Sequence, residues 1–136
     1  MDEGLHVEKL SVGKGRLSIS LTIARSENRY MNHNRADIVA SYFPDLLHHV
    51  CVNNAGDTFG DIIETTSVPH LFEHLVIQFQ TEETEDDSAV FVGNTQWVDE
   101  ENGRARVQVN FLSDFEALQA VSEATRFINT ILLSSN

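Results

Sequence analysis

A second cysteine is missing from this chain, and with it any internal disulfide, because Cys51 stands alone. That suits a reducing compartment and points to the cytoplasm. A lone cysteine is either an inert packed residue or a chemical group, and composition by itself favours the packed one. Basic charge is also scarce: 9 Lys and Arg stand against 21 Asp and Glu, for a formal net charge of −12. Such a surface repels phosphate backbones, so nucleic acid is not an expected partner, whereas a basic polymer or peptide is attracted. The same charge would also serve solubility alone. No apolar run reaches the length needed to cross a bilayer, which argues against a membrane protein. The opening Met-Asp-Glu-Gly has neither the basic region nor the apolar stretch of a secretory signal. No segment repeats. A length of 136 residues suits a single domain, 1–136, and 41% hydrophobic residues suffice for a core.

The periodicities present are those of a mixed domain. Residues 5–11 and 16–24 alternate, with Leu17, Ile19, Leu21 and Ile23 on one face and Ser18, Ser20 and Thr22 on the other, the period of a half-buried strand. Gly13-Lys14-Gly15 between them reads as a hairpin turn. Residues 25–33 are polar and turn-like. Over 34–50, Ile38, Val39, Tyr42, Phe43, Leu46, Leu47 and Val50 recur at helical spacing, and Pro44 should kink or split that run. Residues 52–66 read as a loop with a short helical turn at 60–64.

A clearer helix follows. Ser67 or Thr66 can cap it and Pro69 suits its first turn. Val68, Leu71, Phe72, Leu75, Val76 and Phe79 form one apolar stripe, after which 81–87 reads as an acidic, solvated connector. A second hairpin is expected from a strand starting at 89, with a bulge at Gly93, through the Asn102-Gly103 turn to a strand over 104–111 that places Val107 and Val109 on one face. Ser113 and Glu116 offer a capping box for a long last helix to about Leu133, whose core face takes Phe115, Leu118, Val121, Phe127, Ile128, Ile131 and Leu132. The order β-β-α-α-β-β-α implies an α+β fold: an antiparallel sheet from two β-hairpins with about three helices packed on one face.

His70-Leu-Phe-Glu-His74 is the H-x-x-E-H pattern of inverted zinc peptidases. Residues four apart on a helix project from the same side, so two imidazoles can reach one Zn2+ ion. Glu73 beside them is placed to act as general base. At about 100° per residue, His70, Glu73, His74 and Ile77 fall opposite the apolar stripe, which leaves a solvated polar face as the bland alternative. A catalytic zinc site takes three protein ligands and keeps one open position. The third ligand could be Cys51, His49 or His48, and the strength of thiolate ligation favours Cys51. A closed site with His48 or His49 as fourth ligand would be structural instead. Cys51 as a thiol nucleophile beside His49 or His70 lacks an orienting third group. Gly13-Lys14-Gly15 lacks the spacing of a phosphate loop, and 82–87 lacks the order of a calcium loop.

Pro44-Asp-Leu-Leu-His-His49-Val-Cys51, followed after a loop by His70-Leu-Phe-Glu-His74-Leu-Val-Ile-Gln-Phe-Gln80, resembles the N-terminal domain of cyanophycin synthetases. The likeness runs over roughly 16–133 and is strongest over 44–80. Cyanophycin is a polyaspartate whose side chains each carry an arginine. The resemblance implies binding of this polymer and, as in some members, its cleavage by a metallopeptidase-like site. Carried over, Cys51, His70 and His74 would hold zinc and Glu73 would be the base, with His49 and Gln80 in supporting or substrate-binding places. Gln78 departs from the family, which usually has an acidic residue there, and Ala105 and Arg106 stand where the family has an aromatic. The ATP-dependent domains of a synthetase do not fit in 136 residues, so polymer synthesis is not expected of this stretch. The pattern also resembles the metal site of S-ribosylhomocysteine lyases, as shared metal chemistry only. Two functions are therefore expected to compete: a zinc-dependent hydrolase of an arginine-rich polymer, and a non-catalytic module binding a basic polymer or protein partner.

Overall fold

The computed structural model describes residues 4–51 and 58–134. Strands β1 (Leu5–Gly13) and β2 (Arg16–Ile23) form the first hairpin. Gly13 pairs with Arg16 across a two-residue turn in which Lys14 and Gly15 take φ of 54° and 74°, the twist-matched turn that needs two left-handed residues. Strands β3 (Gly93–Asp99) and β4 (Arg104–Asn110) form the second. All pairing is antiparallel, in the order β1-β2-β4-β3. Leu17, Ile19, Leu21 and Ile23 of β2 and Ala105, Val107 and Val109 of β4 are buried on one face of the sheet. The fold is α+β, as the alternating and helical periods together imply.

Among the described residues four helices accompany the sheet: α1 (His33–Tyr42), α2 (Phe59–Ile62), α3 (Val68–Glu83) and α4 (Asp114–Ser134). Helix α3 packs on β3, β4 and α4, and α4 also packs on β1. Helix α1 ends at Tyr42 and Pro44 opens a 3-10 segment, Pro44–His48, so of the kink or split expected at Pro44 the chain takes the split. That segment packs against α1, α2 and α3. Ser67 caps α3 by accepting from the His70 amide, with Pro69 in the first turn.

Three expectations shift. Helix α3 runs on to Glu83, so 81–83 are helical and the acidic connector begins at Thr84. Residues 89–92 are not a strand and Gly93 is no bulge, because β4 ends at Asn110 and leaves no ladder to extend. The Asn110 side chain serves their backbone instead, accepting from the Val92 amide at 2.7 Å and donating to the Val90 carbonyl at 2.9 Å. On α4 the core face is Ala117, Ala120, Val121, Ala124, Ile128, Ile131 and Leu132, while Phe115 and Leu118 are exposed, because at about 100° per residue they point well away from that face. The short helical turn expected within the 52–66 loop is α2, Phe59–Ile62, and residues 52–57 of that loop lie outside the described residues.

The second hairpin turns through a 3-10 segment, Glu100–Asn102, closed by Gly103 at φ 73°. A Cβ at Gly103 would stand 2.0 Å from the Ile23 carbonyl oxygen, so neither conformation nor space admits a side chain. Gly103→Ala is expected to lower stability by about 2 kcal/mol or more in denaturant unfolding. Gly13→Ala, where a Cβ meets nothing within 4 Å, should stay within about 0.5 kcal/mol of the parent. Equal effects of the two would remove Gly103 from its role in closing the turn.

Candidate metal centre

Up to Gln80, helix α3 is buried on both its apolar and its polar side. Its apolar stripe faces sheet and α4, and Glu73 and His74, on the opposite side, are only 4% and 3% exposed. The solvated-face alternative is thus removed. The cover comes from the chain before α3: Phe59 is fully buried, and its ring lies 4.5 Å from the His74 ring and 5.2 Å from that of His70. An isolated bridge between Val50 and Thr58, with the Phe59 amide donating to the His49 carbonyl at 2.7 Å, folds this segment over the helix. Cys51 is thereby brought to α3.

Cys51 Sγ, a nitrogen of His70 and a nitrogen of His74 all lie within 4.8 Å of one another. His74 Nε2 is 3.1 Å from His70 Nε2 and 3.9 Å from Cys51 Sγ. Tetrahedral zinc with Zn–N of about 2.05 Å and Zn–S of about 2.3 Å would hold such pairs roughly 3.3 and 3.6 Å apart. The two-imidazole, one-thiol donor set fits zinc in kind, and the His70–His74 pair matches its spacing, while Cys51 Sγ stands somewhat wide of His74. Between the candidates for third ligand, the geometry separates them. Cys51 faces His70 and His74. His49 lies on the far side of His74, with its Nδ1 3.0 Å from His74 Nδ1 and its Nε2 2.8 Å from Gln78 Oε1. His48 is exposed and outside the cluster.

Glu73 is held by a residue that local pattern did not single out. The Thr95 hydroxyl of β3 donates to Glu73 Oε1 at 2.7 Å, leaving Oε2 3.8 Å from His74 Nε2. Gly93 allows the strand this close: a Cβ there would sit 2.6 Å from the Gln108 carbonyl oxygen and 3.1 Å from Glu73 Cγ. Thr66 Oγ1 is 2.8 Å from His70 Nδ1, satisfying the nitrogen that points away from the cluster. Thr66, four residues before His70, was foreseeable as a neighbour; Thr95 and Phe59 are distant in sequence and carry no local signal. Gln80 is buried and donates to the Asn110 carbonyl at 3.2 Å. It pins α3 to the end of β4 and makes no contact with the cluster.

Burial sets the charge state. It pushes His70 down to about 4, and pushes His74 further still, with the charges of His70 and His49 adding to the effect. His49 is lowered by burial, against the pull of its Gln78 hydrogen bond. Near pH 7 these rings are neutral, the form that ligates metal. The 3.8 and 4.0 Å approaches of Glu73 to His74 and His70 are therefore not ion pairs. Glu73 itself is raised to about 7 by burial, partly offset by the Thr95 hydrogen bond.

The family model for the cyanophycin synthase-like N-terminal domain matches residues 19–133. No curated protein matches the chain.

Metal-free protein, prepared with a chelator, gives a test of the buried carboxyl. A raised acid contributes stability that is fully present below its unfolded value of 4.5 and is lost as pH rises through about 7. The lowered histidines act in the other direction, their contribution being lost as pH falls below 6.5. Glu73→Gln removes only the first effect. From pH 5 to pH 8 the variant should gain on the parent by up to roughly 3 kcal/mol in urea unfolding. Parallel pH profiles would mean that Glu73 is not desolvated.

Proposed function

The chain belongs to the cyanophycin synthase-like N-terminal domain family, and from that premise we propose that it is a zinc-dependent amide hydrolase acting on an arginine-rich, cyanophycin-like polymer. The observation that carries this reading is the meeting of Cys51 Sγ, His70 Nε2 and His74 Nε2 beside the Glu73 carboxylate. Cys51, His70 and His74 would hold the ion, and zinc, when bound, supplies Lewis-acid polarisation of a carbonyl and acidifies a water.

The chain's own groups divide the remaining work. Glu73, poised near 7, can take a proton at Oε2 and return it to a leaving amine. Thr95 keeps Oε1 engaged, so that Oε2 faces the ligand cluster. Thr66 orients the His70 ring, and Phe59 screens one side of both imidazoles from water. Among the described residues three side chains converge as ligands, which leaves room for a substrate or water and favours a catalytic over a closed structural site.

Charge supports the substrate class. A groove between α3 and α4 has Glu82, Glu83 and Glu123 over Phe79 and Ala120, an acidic, partly apolar surface suited to guanidinium groups. The same groove, with the net charge of −12, favours the second reading, a binding module for a basic polymer that needs no metal. The lone cysteine suits a cytoplasmic setting for either, and no helix of the described residues is long and apolar enough to cross a membrane.

Elemental analysis of untagged protein should give close to one zinc per chain, absent from His74→Ala. Glu73→Gln should keep the metal and lose about a hundredfold or more of cyanophycin hydrolysis. Undiminished hydrolysis by Glu73→Gln would sink the general-base assignment. Salt-sensitive polymer binding without cleavage, unchanged in Cys51→Ser, would establish the binding module in its place.

A further inference from the structure

Histidine ligates through a bare ring nitrogen, so a site needs more than imidazoles in the right place: each ring must carry its proton on the other nitrogen. At His74 that requirement is met from a distance. His74, Gln78 and Glu82 lie four residues apart in succession, one row on the surface of α3. Gln78 Nε2 donates to Glu82 Oε2 at 2.9 Å, Gln78 Oε1 is 2.8 Å from His49 Nε2, and His49 Nδ1 is 3.0 Å from His74 Nδ1.

Proton positions along this row follow from donor and acceptor chemistry. A carboxylate only accepts, so Glu82 turns the amide NH2 of Gln78 toward itself. Gln78 Oε1 then faces His49 and only accepts, so the His49 proton is on Nε2. Neutral His49 is left with a bare Nδ1, which accepts from His74 Nδ1–H. His74 Nε2 is then bare, and it is the atom that faces His70 and Cys51. With both rings neutral, any other arrangement sets two acceptors or two donors against each other at about 3 Å somewhere along the row. The conflict can be passed along but not relieved, because Glu82 has no proton to donate.

We infer that Glu82 and Gln78 are positioning residues of the metal centre, which hold His74 through His49 in the tautomer that binds zinc. The inference rests on the zinc reading for its use but not for its geometry. Glu82 is exposed and near the end of α3, so its replacement should leave the fold intact. Glu82→Lys is the informative change, because a lysine only donates. It turns Gln78 Oε1 outward, presents NH2 to His49, moves the His49 proton to Nδ1 and places the His74 proton on Nε2, inside the ligand cluster. Glu83→Lys makes the same charge change at an exposed neighbour outside the row.

Long-range proton–nitrogen NMR on 15N-histidine-labelled, metal-free protein reads the tautomers directly. The parent should have His49 protonated on Nε2 and His74 on Nδ1; Glu82→Lys should have both reversed. In competition with a chromophoric chelator, Glu82→Lys should bind zinc ten- to a hundredfold more weakly than the parent, while Glu83→Lys stays within about twofold of it. Equal weakening in the two lysine variants would reduce the effect to charge and overturn the inference. So would a parent protein with the His74 proton on Nε2. A parent that binds no zinc would instead remove the metal reading, and the NMR assignment would still decide the row.

Discussion

The structure depends on burying a helix that has two faces to satisfy. An isolated polar group left unpaired in a protein interior costs on the order of 1–3 kcal/mol, and an ionised one more. Helix α3 takes Glu73, His74, Gln78 and Gln80 into the interior, and among the described residues no buried side-chain nitrogen or oxygen lacks a partner. Each of these groups is answered by a different part of the chain: Thr95 from the sheet, His49 from the segment after Pro44, Glu82 from the helix itself, and the Asn110 carbonyl from the end of β4. The apolar side packs α3 onto sheet and α4. The polar side dictates which segments must fold over it.

That demand explains why the site is where it is. The layer that shields α3 from water also delivers Cys51 and Phe59, so the shielding that desolvates Glu73 and the histidines is the same event that assembles the ligand cluster. Desolvation moves an acid up and a base down, and here it does both within one cluster, leaving Glu73 near 7 and the imidazoles neutral. A carboxyl so placed is suited to exchange protons at physiological pH, and neutral rings are ready to ligate. The departure at Gln78 belongs to the same arrangement: an amide there passes the influence of the Glu82 carboxylate one turn back along the helix to His49.

Much of this was legible from neighbouring residues. The alternation of Leu17, Ile19, Leu21 and Ile23 gives the inward face of β2, and Gly15 and Gly103 mark the two hairpin turns through their left-handed backbone. His70 and His74 declare a shared side of a helix by spacing alone. Two expectations fail: Phe115 and Leu118 point away from the face that α4 buries, and no strand begins at 89, because β4 ends at Asn110. Period leaves the cover over the histidine side of α3 open, since it does not say what lies opposite a segment.

Most of the elements, their order, the shared helical side of His70, Glu73 and His74, and the interruption at Pro44 were legible from the chain alone, because these follow from residues within a turn or two of one another. That Cys51, rather than His48 or His49, meets the two helical histidines, that Thr95 holds Glu73, and that His49 faces the back of His74 come from the fold. Those contacts join residues 22 to 25 positions apart, and their geometry is set by how the chain folds back on α3 rather than by any local pattern.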